Sequence, residues 1–382
     1  MKSYNHLWEE LISEENILLA IKNSAKGKMK RRKLIEIRNN AEKYVFVVRD
    51  WIENYQPIKH RTKTIVDGIS GKRRFIIIPT IQEHIIQHAI INVLKPIFMK
   101  GMYEHSYASI PGRGCHKGMK TIKKWIRHDR AGIKYCLKMD IKQYFNSISQ
   151  EVLINMLEQK IHDKRFMSLI YSVISTTITG IPLGFYTSQW FANFLLQKLD
   201  HYIKETLKVK HYVRYMDDMI IFDSNKRKLH HVRNAVEDYL NGIGLRLKEN
   251  WQVFRFHTMN NKGRFLDFMG FRFYRNRITL RRRIALKAMR KARHVGKKKN
   301  ISTHDARQLL TYIGWTKCID VYKWFRKYIS AFVSFRKLRK IVSNHDKKVV
   351  KCKCGINRSR VQSPKPLIMT RQGYMFTFAR TL

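Results

Sequence analysis

Hydrophobic and polar positions change their period several times along this chain, and each change marks a change of element. Residues 6–55, "HLWEELISEENILLAIKNSAKGKMKRRKLIEIRNNAEKYVFVVRDWIENY", carry helical periodicity and predict two helices, the second with a basic entry, broken near Gly27. In "TIVDGISGKRRFIIIP" a Gly-marked turn at 68–71 joins two short β-rich runs, a hairpin with Lys72, Arg73 and Arg74 near its tip. A helix is expected from about Gln82 to Phe98, bounded by Pro79 and Pro96. "SYASIPGRGCHKGM" is a Pro/Gly-punctuated loop that leads into the helix "KGMKTIKKWIRHD". Residues 133–141 alternate and are β-prone, which sets Asp140 at the end of a strand. "HYVRYMDDMIIF" is apolar and β-branched on both sides of its centre and predicts a tight hairpin presenting Met216, Asp217 and Asp218. Beyond it, Leu229, Val232, Val236 and Leu240 share one helix face.

Composition adds a partner. The 382 residues are 44% hydrophobic, enough to bury a sizeable core in about two or three domains. Lysine and arginine number 77 against 28 acidic residues, a formal charge of +49, whose self-repulsion calls for a polyanion such as nucleic acid. No apolar run approaches the length of a spanning helix, and the start lacks the apolar core of a secretory signal, so no membrane partner and a cytoplasmic setting are expected. Five cysteines, Cys115, Cys136, Cys318, Cys352 and Cys354, do not form a disulfide framework. The tail Cys-x-Cys, with His345 upstream, falls short of a four-ligand zinc pattern.

The acids pose the chemical question. Two adjacent carboxylates in an apolar run repel and are costly to desolvate, so they need a countercation or an exposed turn. If the hairpin pairs beside the strand of Asp140, three carboxylates converge on one sheet edge. Oxygen ligands of that kind suit Mg²⁺, which takes one or two protein carboxylates alongside substrate phosphates. A pair of such ions would activate a 3′-hydroxyl and stabilise a leaving pyrophosphate. The plainer alternative is that both aspartates terminate a hairpin, since Asp favours turns.

"YMDD" together with "KMDIKQYF" resembles the catalytic core of reverse transcriptases, and further blocks over roughly residues 60–275 follow that family's order. "RRFIIIP" is similar to its triphosphate-holding finger segment, "SYASIPGRGCH" to the next block, "GIPLGFYTSQWFANFLLQKLD" to the block that shapes the nascent base pair, and "DFMGFRF" to the primer-grip turn. The resemblance implies an α+β right-hand polymerase: N-terminal helices and fingers over 1–132, a palm with an antiparallel sheet over 133–280 holding a finger or base-pair segment near 150–185, and a basic helical thumb and tail over 281–382. Where many members carry Pro-Gln-Gly and later Ser-Pro, this chain has Pro182, Leu183, Gly184 and later Ser188, Gln189. That form resembles the enzymes of diversity-generating retroelements, bacterial or phage-encoded members of the group II intron-like superfamily. Such enzymes copy error-prone and associate with a small basic accessory protein and a structured RNA. A Leu beside the nucleotide removes polar contacts that fix its pose and leaves discrimination to shape.

The same resemblance implies residue roles. Asp140, Asp217 and Asp218 would hold two Mg²⁺ ions, with Mn²⁺ an alternative, assisted by the backbone carbonyl of Ile141. Lys72 and Arg74 would clamp the triphosphate of the dNTP, arginine through its bidentate fork. Phe145 would stand against the sugar as a steric gate, with Leu183, Gly184 and Gln189 around the incoming nucleotide. The family's proton-donating lysine aligns with Trp251 here, leaving Lys248 as a nearby candidate. Arg113 and His116 in the basic loop, and Arg281, Arg282, Arg283, Lys287 and Arg290 in the acid-free stretch 280–300, would track the template RNA and its RNA/DNA duplex. In "YIGWTKCIDVYKWFRKYISAFVSFRKL", read as two helices, the aromatics are assigned mainly to packing. Three readings follow: an error-prone RNA-directed DNA polymerase of the diversity-generating type, a related bacterial enzyme serving phage defence, and a non-catalytic RNA-binding protein on the same fold.

Overall fold

The computed structural model describes residues 3–28, 31–66, 71, 73–260, 262–316 and 318–353, the last seven of these by backbone only. Lys72 and Cys354 therefore lie outside the described residues, as does the side chain of Cys352. The chain is a mixture of helices and antiparallel sheets, the α+β class expected.

Four helices open the chain, not two: α1 (Leu7–Ile12), α2 (Glu14–Ser24), α3 (Arg32–Asn39) and α4 (Val45–Glu53). The extra break comes from Ser13, whose hydroxyl accepts from the Asn16 N–H and starts a new helix. Strands β1 (Arg61–Val66) and β2 (Arg73–Ile78) pair as the expected hairpin, Arg74 opposite Ile65. Helix α5 (Ile81–Lys100) begins with a capping box in which the Thr80 hydroxyl accepts from Glu83 N–H and the Glu83 carboxylate accepts from Thr80 N–H. It runs through Pro96 and ends two residues beyond the expected Phe98. Leu94, Ile97 and Phe98 are all buried, and this burial outweighs the roughly 3 kcal/mol that an interior proline costs.

Next come α6 (Cys115–His128), β3 (Tyr135–Asp140), α7 (Tyr144–Ser147), α8 (Gln150–Glu158), α9 (Lys164–Ile174), α10 (Tyr186–Leu195) and α11 (Gln197–His201). Strands β4 (His211–Tyr215) and β5 (Asp218–Asp223) lead into α12 (Lys226–Gly242), whose buried residues are Leu229, Val232, Val236 and Leu240. Short strands β6 (Gln252–Arg255), β7 (Leu266–Phe268), β8 (Phe271–Phe273) and β9 (Ile278–Leu280) precede α13 (Arg282–Gly296), α14 (Thr303–Thr316), α15 (Tyr322–Phe325) and α16 (Phe335–Lys353). The C-terminal stretch thus holds more breaks than the two helices expected, with a π-type turn at Arg326–Ser330 between α15 and α16.

Two compact units interleave along the sequence: residues 1–110 with 135–253, and residues 111–134 with 254–382. In the first, the sheet order is β4-β5-β3-β6, and its core gathers α1–α5, α8–α10, α12 and the inner faces of the sheet. The second holds the β7-β8-β9 meander and a small core of Ala288, Ala292, Val295, Leu309, Ile313 and Leu338. Met269 and Gly270, both at positive φ, make the two-residue turn between β7 and β8. No helix among the described residues is long and apolar enough to cross a membrane.

Candidate active site

Strand β5 lies between β3 and β4, and its register sets Asp218 opposite both Asp140 and Tyr215. Strands β4 and β5 are buried along most of their length and β3 along half of it, so burial fixes the register and leaves Asp140 and Asp218 together at one end of the two central strands. Met216 and Asp217 form the turn, and Met216 takes a left-handed conformation at φ 58°. The Asp217 carboxyl is buried and close to the charges of Asp140 and Asp218. Burial first, then those two charges, raises its pKa to about 7.

One oxygen of Asp140, Oδ1, is buried without a hydrogen-bond partner among the described residues; the other, Oδ2, receives the Lys248 ammonium at 2.5 Å. A carboxylate pair facing a single lysine, with one oxygen orphaned, fits a hard divalent cation with oxygen ligands. No closed cage of three or more carboxylate, imidazole or thiol groups exists among the described residues, so the protein offers a partial ligand set. Ile141 is fully buried and bridges Leu247.

Around this edge, the Phe145 ring is half-buried and its carbonyl accepts from the Ile181 N–H at 2.9 Å, which ties α7 to the 180–185 loop. The Leu183 carbonyl accepts from the Ile77 N–H at 2.7 Å, joining that loop to β2. Gly184 sits at φ 120°, where a Cβ would fall 2.2 Å from the Ile77 carbonyl oxygen, so only glycine permits the approach. Gln189 is exposed on α10 and Arg74 is exposed on β2.

Trp251, at the position of the family's lysine, lies under the Arg233 guanidinium at 4.5 Å and edge-on to His230. It packs against α12. Lys248 reaches the Asp140 carboxylate.

The remaining expected contacts fall in the second unit. His116 approaches the Gly314 carbonyl at 3.2 Å and packs edge-on to Phe271 and against Trp315, a partly buried setting. Arg281 pairs with Asp267 at 2.6 Å. Arg282, Arg283 and Arg290 are exposed, Lys287 is half-buried on α13, and Arg113 is half-buried in the loop before α6. Lys291 and Lys298 both bind Asp305, holding its carboxyl well below the usual range.

Sequence reasoning missed a buried set beneath the turn. Asp200 on α11 and Arg214 on β4 pair at 2.6 Å with neither side chain exposed. The signal available was an arginine inside a strand buried along most of its length, which demands a buried partner.

Comparison with known proteins identifies relatives of this chain. The sequence pattern of the family described as reverse transcriptase (RNA-dependent DNA polymerase) matches residues 58–273. Protein YkfC of Escherichia coli is 24% identical over 211 residues, covering 52% of this chain and 51% of that protein. The group II intron-encoded protein LtrA of Lactococcus lactis is 31% identical over 166 residues, covering 41% of this chain and 27% of LtrA. The Ec73 retron reverse transcriptase of Escherichia coli is 25% identical over 295 residues, covering 72% of this chain and 88% of that enzyme. The chain thus spans about half of YkfC and a smaller part of LtrA. Among solved structures, apo telomerase from Candida tropicalis superposes with a TM-score of 0.48 at 12% identity, covering 78% of this chain and 60% of that one.

Proposed function

The chain belongs to the reverse transcriptase (RNA-dependent DNA polymerase) family, and on that premise we propose that it copies a template RNA into cDNA from dNTPs. The observation that carries this is the approach of Asp140 and Asp217 at one end of the central strands, two acids from distant parts of the chain held close together at a desolvation cost. A structural protein gains nothing from that repulsion.

Asp140 and Asp217, with Asp218 beside them and the Ile141 carbonyl next in the chain, would hold two Mg²⁺ ions, or Mn²⁺ in their place. When bound, the metal supplies charge for the attacking 3′-oxygen and the departing pyrophosphate. The protein's own groups do the rest. Arg74 offers an exposed guanidinium fork to the triphosphate, with Lys72 beside it in sequence. Phe145 presents a ring whose backbone is fixed through Ile181, and so discriminates sugars by shape. Leu183 and Gly184 are fixed against β2, so the base-pair loop and the triphosphate strand move together. Leu183 offers the incoming nucleotide no hydrogen bond, which supports error-prone copying of the diversity-generating type and, with it, a small basic accessory protein. In this reading residues 1–132 supply fingers, 133–280 a palm, and 281–382 a thumb whose Arg282, Arg283, Lys287 and Arg290 follow the duplex, with Arg113 and His116 as further contacts.

A second reading is a related bacterial reverse transcriptase serving phage defence; the match spanning 88% of the Ec73 retron reverse transcriptase supports the polymerase activity common to both readings. Full chain with an RNA template, a primer, Mg²⁺ and dNTPs should yield DNA. Asp217→Asn should lose synthesis while binding RNA within about twofold of the parent. Equal synthesis by the variant, or RNA binding without synthesis by the parent, discards the proposal. Sequencing the cDNA separates the two readings: substitutions scattered through a copied repeat favour the first, faithful copies of one structured RNA the second.

A further inference from the structure

Arg214 is fully buried, and its guanidinium is divided between two tasks. Nε and Nη2 form a fork on Asp200, at 2.8 Å to Oδ1 and 2.6 Å to Oδ2. Nη1 turns the other way and donates to the Met216 carbonyl and to Asn193 Oδ1, both at 3.1 Å. Asp200 is set in place by the Tyr212 hydroxyl at 2.7 Å. Asn193 in turn donates to the carbonyls of Ala108 and Gln189, so α10 and the loop before residue 110 are tied to the same centre.

A buried ion pair is a poor stabiliser, since an apolar pair of equal volume would serve as well. Its usefulness lies in geometry. The Arg214 backbone is already clasped, its N–H by His105 and its carbonyl by the Tyr107 N–H. What the strand hydrogen bonds leave unfixed is the turn, where Met216 occupies a left-handed conformation that disfavours a side chain.

We propose that Arg214 is a positioning residue: oriented by Asp200, it grips the Met216 carbonyl and so fixes the strained turn that sets Asp217 against Asp140. This rests on the polymerase reading for its purpose but not for its test. Arg214→Lys keeps the charge for Asp200 but has one nitrogen where arginine has a fork, so the grip on Met216 is lost. Met216→Gly makes the left-handed conformation free of strain.

The experiment titrates Mn²⁺ into the full chain, followed by water-proton relaxation, alongside kcat and KM for dNTP. Arg214→Lys should weaken Mn²⁺ binding about tenfold and lower kcat by a similar factor, with KM changed less than about twofold. In a Met216→Gly background the same substitution should cost less than about threefold. Unchanged Mn²⁺ binding in Arg214→Lys, or an equal loss in both backgrounds, overturns the proposal. Should Arg214→Lys fail to fold, the charge-free pair Arg214→Met with Asp200→Asn replaces it, and native Mn²⁺ binding there overturns the proposal equally. Weakened Mn²⁺ binding in a chain that makes no DNA would sink the polymerase reading and leave the positioning role standing.

Discussion

The Lys248 ammonium lies 2.5 Å from Oδ2 of Asp140, while the Lys248 backbone N–H donates to the Asp140 carbonyl at 2.8 Å. The backbone bond keeps this lysine from drifting away. It therefore offsets part of the repulsion among the carboxylates and competes with any divalent ion for the same oxygen. Both side chains retain about a quarter of their exposure, so screening limits the effect. Lys248→Gln should lower the Mg²⁺ concentration that gives half-maximal synthesis by about two- to fivefold. A Mg²⁺ titration of initial rate checks this, and a rise in the required concentration would show that the lysine assists the ion.

Gly184 makes a second prediction. Its Cβ would fall 2.2 Å from backbone at Ile77, and backbone cannot yield as a flexible side chain can. Gly184→Ala should break the Ile77–Leu183 hydrogen bond, part β2 from the base-pair loop, and cost about 2–4 kcal/mol of stability. Because Arg74 rides on β2, KM for dNTP should rise together with the loss of stability. Thermal unfolding and dNTP titration are the measurements, and a parent-like KM would separate that strand from nucleotide binding.

Asp140 and Asp218 were legible because each sits at the end of a short run that the sheet buries, and pairing of such runs turns an end into a position in space. Asp140 and Asp218 face each other for that reason. The Asp200–Arg214 pair was not legible: one partner lies on a helix and the other on a strand, and no local pattern joins them. Pro96 does not end α5, because a local breaker carries less weight than the burial of Leu94, Ile97 and Phe98 around it. The neighbours of His116 and Arg281 within the second unit, Trp315 and Asp267, were not legible either, because no local pattern joins them.

Trp251 gives a prediction about restoring a family feature. A lysine placed there would meet Arg233, which now stacks on the indole, and would replace an attraction with a repulsion. Trp251→Lys should destabilise the chain by about 1–3 kcal/mol and leave the rate per folded molecule no higher than the parent's. Rates normalised to the folded fraction test it; a several-fold gain would show that the donor position had been vacant.

Acid sensitivity should come from α5. His84 and His88 pack edge-on at 4.8 Å, and His88 stacks on Tyr186 at 4.3 Å. Burial first, then Lys28, lowers both from 6.5, His84 to about 2 with further help from His88 and Arg31, and His88 to about 3 with help from Lys26. Both are therefore neutral in the folded chain at any moderate pH. The unfolded chain takes up protons as pH falls through 6.5 while the folded chain refuses them, so stability is complete above that value and declines below it until the folded groups titrate. Each histidine should remove about 2 kcal/mol between pH 6.5 and pH 5, a window above the one in which ordinary carboxylates act. Replacing both by Gln should flatten urea unfolding midpoints across that interval; midpoints that still fall as steeply would place the acid sensitivity elsewhere in the fold.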